Sequence, residues 1–478
     1  MKFQYSVFLI LIALIFHAQT NNYYFGNLHS HTGFSDGNKD STASGIGRPD
    51  GSYAYAKLSQ NFDFLGISEH NHFSSAHNPG FKKPLYQTGL NMADAANDEG
   101  TFLALFGLEY GVSSNYNGHI VVYGFNQLIG WETSVPGVSG SNFDIYNAKT
   151  DYAGFFTKVK NNPNAFCYLA HPGFSDYTLD GNANTSLAYG SYNATFDSAI
   201  VGTPLRSGLA FSTDTTYDDY SSGNYFDYFK RLLYVGYHLG IGYDHDNHYT
   251  NFGRSNGGRL VIIAPTLTRA NLYSAMQQMH FYGSDDPNAE ISFNLDNNIM
   301  GSVVSGSTFP SFNVVHNDPD GENADSIKIW RGFKGNPNGL WAEIVYTVKN
   351  SNTAAFTDNS ITGGQEYYYF AEIKQKDGQW IVTSPIWYTI GGPVGVKENP
   401  ATLGLTLFQN TVTRELNLAL TETGEYNIIC RDICGRTVIN QTCVGNNFHF
   451  NLNSITPGVY TFEVKGSKAA GVKKIIVE

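Results

Sequence analysis

Residues 26–37 of the chain spell GNLHSHTGFSDG. Aromatic and apolar residues precede this stretch and a glycine- and serine-containing loop ends it, so the sequence predicts a strand that ends near His31. Alternate side chains of a strand point to the same face. His29 and His31 therefore project together from the strand end, where two imidazoles aimed at one point suit a metal ion. For this stretch alone, a pair of surface or packing histidines is the alternative.

The composition indicates several domains rich in β structure. The chain has 478 residues, of which 41% are hydrophobic and 15% aromatic, so it exceeds one ordinary domain and can bury large cores. Charged residues make up only 15%, while glycine and aromatic residues are plentiful, a mix typical of loop-rich β structure or barrels. The net charge of −12 argues against a nucleic-acid surface and against an anionic-membrane anchor.

Residues 1–20 have the features of an export signal. Lys2 gives a short positive start, an apolar run follows from Phe8 to Phe16, and HAQT has the character of a cleavage site. The apolar run is too short for a typical membrane span. We therefore expect a mature chain that is secreted or on the cell surface, without a transmembrane span.

The remaining chain divides into units with different patterns. Residues 21–285 alternate strand-like and helix-like stretches, which predicts an α/β unit with a parallel sheet, open or closed into a barrel. Residues 286–392 alternate apolar and polar positions between turn signals, as expected of an immunoglobulin-like β-sandwich. Residues 393–402 read as a linker, and residues 403–478 as a second all-β sandwich.

Imidazole and carboxyl groups stand near the ends of the predicted strands in residues 21–285. In parallel α/β folds the carboxyl ends of the strands form the rim of the active site. Nitrogen and oxygen ligands without cysteine favour zinc, manganese or iron over a thiolate site. The residues at these ends are Glu69, His70, His72, Glu109, His119, His171, Asp244, His245, Asp246 and His248.

The order of these motifs resembles the PHP (polymerase and histidinol phosphatase) superfamily. The resemblance is carried by His29-x-His31, FSDG, SEHNH, a strand-end Glu, His-Pro-Gly and Asp-x-His, over roughly residues 22–283. It extends to the secreted branch of metal-dependent hydrolases in which a β-sandwich follows the metal domain. It implies a distorted (β/α)7 barrel, followed here by two all-β sandwich domains, and about two to three divalent transition metals, Zn, Mn or Fe.

The resemblance also implies metal ligands by motif. The expected ligands of one metal, which form the catalytic set, are His29, His31, Glu109 and Asp246. Glu109 is expected to bridge to a second metal held by His119 and His171, and a third metal is expected between Asp36, His70 and His248.

Other residues are expected beside the metals or facing the substrate. This group comprises Glu69, His72, Asp244, His245 and Arg254. Asp244 and His245 compete with Asp246 and His248 as ligands, and the Asp-x-His spacing favours the latter pair. Arg254 is either a phosphate clamp or a surface residue.

Such a centre predicts hydrolysis by a hydroxide that clustered metals generate near neutral pH. We expect an exported phosphoesterase acting on a small-molecule or polymer-borne ester. The alternatives are hydrolysis of an ester, amide or carbamate at the same site, or a non-catalytic surface binding module.

The last unit resembles the C-terminal sorting domain of type IX secretion cargo in Bacteroidetes. The matching features are RDICGRTV, LNSITPGVYTFEV and the terminal KKIIVE, within residues 403–478. The resemblance implies that outer-membrane secretion machinery reads this tail as an address. A generic sandwich is the alternative.

Overall fold

A computed structural model gives the fold of two compact units, Met1–Gly391 and Gly392–Glu478. The predicted export signal (1–20) and linker (393–402) lie outside the described residues. The structure describes residues 21–58, 62–73, 81–112, 116–216, 223–252, 254, 256–391, 406–410, 414–432, 436–466 and 470–477.

The first part of the first unit contains eleven strands and seven helices among its described residues. The strands are β1 (Asn22–Asn27), β2 (Phe64–His70), β3 (Leu103–Tyr110), β4 (His119–Tyr123), β5 (Ile129–Gly130), β6 (Ile145–Tyr146), β7 (Phe166–Ala170), β8 (Ile200–Pro204), β9 (Gly240–Gly242), β10 (Arg259–Ala264) and β11 (Phe281–Ser284). The helices are α1 (Ser41–Ser44), α2 (Pro49–Lys57), α3 (Lys83–Ala96), α4 (Tyr152–Lys160), α5 (Ala194–Asp197), α6 (Phe226–Val235) and α7 (Arg269–Gln277).

The second part of this unit consists of strands. They are β12 (Glu290–Leu295), β13 (Asn298–Ile299), β14 (Val303–Gly306), β15 (Ser311–Asn317), β16 (Ala324–Phe333), β17 (Glu343–Lys349), β18 (Thr353–Thr357), β19 (Glu366–Gln375), β20 (Trp380–Thr383) and β21 (Ile386–Ile390).

One large mixed sheet runs through both parts of the unit. Its order is β14-β21-β19-β20-β11-β10-β1-β2-β3-β4-β7-β8-β9, and β16 joins it at β19 with β17 on the far side. The pairs β1/β2, β2/β3, β7/β8 and β8/β9 are parallel. The pairs β1/β10, β10/β11, β3/β4 and β4/β7 are antiparallel.

The predicted (β/α)7 barrel is wrong. Strands make up 40% of the structure and helices 15%, and β9 and β14 end the path of the described strands, so the sheet stays open. Only residues 111–118 join β3 to β4. Parallel neighbours need a crossover of a dozen or more residues, so β4 returns antiparallel to β3. The sheet also continues from β11 into β20, where Tyr282 lies opposite Thr383.

A four-stranded sheet, in the order β13-β12-β15-β18, forms a second layer. Its strands alternate buried and exposed residues, as β15 does with buried Phe312 and Val314. These side chains belong to one hydrophobic core with Ile327 and Tyr369 of the large sheet, and the rings of Phe312 and Tyr369 lie 4.4 Å apart. Burying each such side chain contributes roughly 1.5–3 kcal/mol, which fixes the two layers together.

Helix α3 shows how helices stabilise the strands that carry the polar cluster. Its buried residues Tyr86, Gly89 and Ala93 recur at helical spacing. The Tyr86 and Phe106 rings lie 5.7 Å apart, and a Cβ at position 89 would collide with the Phe106 ring. The missing side chain lets α3 lie close to β3, the strand that ends at Glu109 and Tyr110.

The second unit is a five-stranded antiparallel sheet. Its strands are β22 (Thr406–Asn410), β23 (Glu415–Asp432), β24 (Thr437–Asn451), β25 (Gly458–Lys465) and β26 (Ala470–Val477). The long β23 pairs with β22, β24 and β25, and β26 pairs with β25. Alternate residues such as Leu416, Leu418, Ile428 and Phe462 form a core of its own.

Candidate metal centre

Two loop segments lie side by side at the ends of β1 and β9. The Asp246 N–H donates to the His29 carbonyl at 2.8 Å, and the His31 N–H donates to the Asn247 carbonyl at 2.9 Å. This pairing places the Asp246 Oδ1 atom 3.2 Å from His29 Nε2 and 3.1 Å from His31 Nε2. Both histidines are fully buried. The backbone therefore brings the HSH and DHDNH segments of the sequence to one point.

The loop after His31 folds back over that histidine. A Cβ at position 37 would collide with the His31 backbone, so FSDG requires glycine at its end. The fold of this loop carries Asp36 to the other imidazoles. Its Oδ1 lies 3.5 Å from His70 Nε2, and its Oδ2 lies 3.3 Å from His248 Nε2.

Glu109, near the end of β3, is the hub of the cluster. Its side chain is 1% exposed, and five imidazoles surround the carboxylate. Oε1 lies 3.1 Å from His29 Nε2, 2.9 Å from His119 Nδ1 and 3.1 Å from His171 Nε2. Oε2 lies 3.3 Å from His31 Nε2 and 2.9 Å from His70 Nδ1. A single carboxylate thus contacts five imidazoles from four separate strand ends and loops.

These side chains form three overlapping groups whose ligand atoms lie within 4.8 Å of one another. The groups are His29, His31, Glu109 and Asp246; His70, Glu109 and His119; and His31, His70 and His248. The first group is the predicted ligand set of one metal. In the second group, His70 lies with Glu109 and His119, where the sequence predicted His171 as the other histidine. In the third group, His31 lies with His70 and His248.

The geometry fits coordination to metal ions. Ligand atoms about 2.1 Å from a metal stand about 3.0 Å apart in an octahedron and about 3.4 Å apart in a tetrahedron. The separations around Glu109 lie between 2.9 and 3.3 Å. Several of these buried atoms lie close to one another but make no well-aligned hydrogen bond among the described residues, and an ion between them would satisfy them. They are His29 Nε2, Asp36 Oδ1, His70 Nδ1, Glu109 Oε2 and His119 Nδ1.

Two of the clustered residues have a strained backbone. His171 has φ of 28° and Asp246 has φ of 53°, in the region that residues other than glycine rarely adopt. Such strain persists where the surrounding structure fixes it, and it clusters at functional sites. Both residues point their side chains at the Glu109 and His29 region, so the strain accompanies the convergence of the ligands.

The buried charges of the cluster attract positive charge. Burial opposes a charged imidazole, but Asp246 and Glu109 outweigh it and raise the pKa of His29 well above its usual value. The same carboxylates raise the pKa of His31 to about 10 against burial. Burial favours a neutral Glu109, yet His119 and His29 hold its pKa well below the usual range. Without a metal the carboxylates retain protons on His29 and His31, and a divalent cation would take the place of those protons.

Two carboxylates hold the ligands in place. Asp244 Oδ2 lies 3.2 Å from His29 Nδ1, the ring nitrogen that faces away from Glu109. Glu69 is fully buried and accepts hydrogen bonds from the Thr32 N–H at 3.1 Å and from the Ser35 hydroxyl. Carboxylates behind metal-binding groups fix their orientation. Asp244 thereby orients His29, and Glu69 fixes the loop that carries Asp36.

Three of the residues predicted near the metals lie outside the cluster. The buried His245 donates from Nε2 to the Gly258 carbonyl at 2.6 Å, and burial lowers its pKa to about 3. The His72 ring stacks on Trp131 at 5.5 Å and lies 5.7 Å from the His70 ring, so it lines the neighbourhood of the cluster. Arg254 is exposed and belongs to none of the three groups.

Two residues beside the cluster carried no sequence signal. Phe211 is 63% exposed, and its ring lies 4.5 Å from that of His248. The Lys39 ammonium lies 5.6 Å from the Phe211 ring and 3.6 Å from Asp36 Oδ2. Both sit in loops without periodicity, so only the fold reveals their place.

A model of the secretion system C-terminal sorting domain matches residues 406–478. The predicted type IX sorting tail is therefore confirmed, and the protein is secreted or carried on the cell surface. Among the described residues, no helix has the length and apolar character needed to cross a membrane.

No curated protein matches the chain. Similar solved structures include PorZ of the type IX secretion system of Porphyromonas gingivalis, at 18% identity and a TM-score of 0.15, covering 23% of this chain and 15% of PorZ. The chicken CNTN1 FN1–FN3 domains match at 13% identity and a TM-score of 0.17, covering 37% of this chain and 62% of theirs. The fibronectin(III)-like modules of Clostridium thermocellum CbhA match at 10% identity and a TM-score of 0.15, covering 39% of this chain and 94% of theirs.

Proposed function

We propose that this exported protein is a metal-dependent hydrolase that cleaves phosphoester bonds. The observation that carries the proposal is the buried Glu109 carboxylate with five imidazoles within 3.3 Å of its oxygens. The ordered motifs that resemble the PHP superfamily support the same chemistry, although the sheet that carries them is open.

We infer roles for the residues of the cluster from the distances between their ligand atoms. His29, His31, Glu109 and Asp246 would hold one divalent metal, Glu109 would share a second with His119 and His70 or His171, and Asp36, His70 and His248 would hold a third. Bound zinc, manganese or iron supplies an activated water at neutral pH and neutralises charge on phosphoryl oxygens.

The chain's own residues prepare the site for that chemistry. Asp244 keeps His29 Nδ1 engaged so that Nε2 faces Glu109. Glu69 fixes the Asp36 loop, and the burial of Glu109 and both histidines of the HSH segment excludes bulk water from the hub. His171 has the most exposed side chain of the five imidazoles at Glu109, at 27%. Where His70 rather than His171 holds the second metal, His171 is therefore the one best placed to donate a proton to a leaving group.

The experiment compares two esters with one leaving group on the purified full-length chain. 4-Nitrophenyl phosphate and 4-nitrophenyl acetate are offered after separate loading with Mn, Fe or Zn, beside an Asp246→Asn variant and the distant control Asp227→Asn. We expect hydrolysis of the phosphate ester by the wild type and the control, and its loss in Asp246→Asn. Hydrolysis of the acetate alone would replace the phosphoesterase with the carbonyl-ester alternative. A metal-loaded chain that cleaves neither ester would contradict the proposal and favour a binding module.

A further inference from the structure

We propose that Phe211 is a specificity-determining residue, an apolar platform that receives a ring on the non-phosphoryl side of the substrate. The inference rests on the proposed phosphoesterase function and adds the substrate class, a monoester that carries a flat, aromatic ring.

The position of Phe211 is the first observation. Its ring lies 4.5 Å from the His248 ring at an angle of 37°, so it contacts an imidazole that itself faces Asp36. The phenylalanine is nevertheless 63% exposed. A large apolar side chain that touches the cluster and also faces solvent leaves part of its ring available to a molecule bound at the cluster.

The loop that carries Phe211 is fixed to the cluster, which is the second observation. The His248 N–H donates to the Ala210 carbonyl at 2.9 Å. The Asn251 amide donates to the Ser212 carbonyl at 2.7 Å and to the Asp214 carbonyl at 3.2 Å. Hydrogen bonds on both sides of Phe211 thus hold its backbone in register with the DHDNH segment. The ring is a fixed platform, and ordering it on binding costs little.

The charge beside the platform is the third observation. The Lys39 ammonium lies 5.6 Å from the centre of the Phe211 ring, within the range of a cation–π contact. The backbone N–H of Lys39 also donates to the His248 carbonyl at 2.9 Å. Lysine and phenylalanine therefore flank the same histidine, which suits a ligand with an anionic group at the cluster and an aromatic ring beside it.

The test measures binding of non-hydrolysable analogues, so it does not depend on turnover. Phenylphosphonate, cyclohexylphosphonate and methylphosphonate are titrated into the full-length, metal-loaded chain by calorimetry. The variants are Phe211→Ala, the ring-preserving Phe211→Tyr, and Phe309→Ala as a matched control at another exposed phenylalanine (44%). Metal content is measured for each, because Phe211 touches His248.

We expect the wild type to bind phenylphosphonate about five- to ten-fold more tightly than methylphosphonate, the size of one aromatic contact. Phe211→Ala should abolish that preference with metal content and methylphosphonate affinity unchanged, whereas Phe211→Tyr and Phe309→Ala should keep it. Cyclohexylphosphonate should bind less tightly than phenylphosphonate, and equal affinity would overturn the choice of a flat ring. A preference that survives Phe211→Ala, or is absent from the wild type, would overturn the inference. Failure of all three phosphonates to bind the metal-loaded chain would instead count against the phosphoesterase function.

Discussion

The first unit contains two clusters of carboxylates that differ in what surrounds them. Around Glu109, imidazoles approach the carboxylate and several buried ligand atoms have no hydrogen-bond partner among the described residues. The second cluster, here called the acidic cluster, consists of Asp286, Asp318 and Glu322, whose oxygens lie within 4.8 Å of one another. The Gln375 amide donates to Asp286 at 3.2 Å and to Asp318 at 2.8 Å.

The two clusters relieve the repulsion between their carboxylates in different ways. The acidic cluster takes up a proton: burial and Asp377 raise the pKa of Glu322 to about 7. In the cluster at Glu109, protonated imidazoles supply the positive charge that balances the carboxylates. A metal cation bound by the same imidazoles would supply that charge instead of their protons. Carboxylates that lie close together are therefore, on their own, a weak indication of a metal site. Imidazoles that converge on a buried carboxylate, with ligand atoms that lack a hydrogen-bond partner, are a stronger indication.

The largest expected effect on activity comes from removing the negative charge of Glu109. Glu109→Gln removes the charge that the proposed metals would share, and we expect phosphoesterase activity to fall more than about 100-fold, beyond the usual effect of residues behind the ligands. Thermal unfolding with and without added Mn checks the cause, since a bound ion raises the Tm. Glu322→Gln in the acidic cluster is the matched control and should keep both activity and the Mn-dependent Tm shift. An equal loss in both variants would erase the distinction between the clusters.

A smaller effect is expected from a change to Asp244, which contacts the proposed metal ligand His29 but does not itself face the metals. Asp244→Asn keeps the shape of the side chain but removes the charge that orients His29 through Nδ1. Metal affinity, measured by competition with a chromophoric chelator, should fall about 10- to 100-fold. Asp227→Asn on the surface of α6 should leave it unchanged. Unaltered affinity in a folded Asp244→Asn variant would show that His29 is oriented without this carboxylate.

The smallest effect concerns the pH dependence of the acidic cluster. The folded pKa of Glu322, about 7, lies above the usual value of 4.5, so the folded state binds more protons than the unfolded state between these values. Stability should therefore fall as the pH rises from 4.5 to 7, by about 1 kcal/mol or less because solvent screens this site. Denaturant unfolding across this range should show the fall in the wild type and in Glu422→Gln, and a reduced slope in Glu322→Gln. An identical slope in all three proteins would contradict the role of Glu322.

The sequence predicted the sorting tail well, because RDICGRTV and the KKIIVE end are local motifs. The cluster residues were predicted as a set because most of them stand at or near an end of an apolar strand. His245 and His248 could not be separated by spacing with certainty, since the choice depends on backbone pairing between the HSH and DHDNH segments. The exposed Phe211 gave no signal, because its role depends on a loop folded against His248.

The fold was predicted less well than the cluster because strand direction is a non-local property. Alternating strands and helices suggested parallel neighbours, but the short 111–118 connection makes β4 antiparallel to β3. The pairing of β11 with β20 joins residues about one hundred positions apart, with Tyr282 opposite Thr383. No periodicity in either segment specifies that partner.

Elemental analysis of the purified full-length chain beside His31→Ala tests the metal centre most directly. We predict about two to three metals per wild-type chain and a clear loss in the variant. The Glu322→Gln control should match the wild type. A folded wild-type chain that remains free of metal after anaerobic loading with Mn, Fe and Zn would contradict the metal centre and the hydrolase built on it.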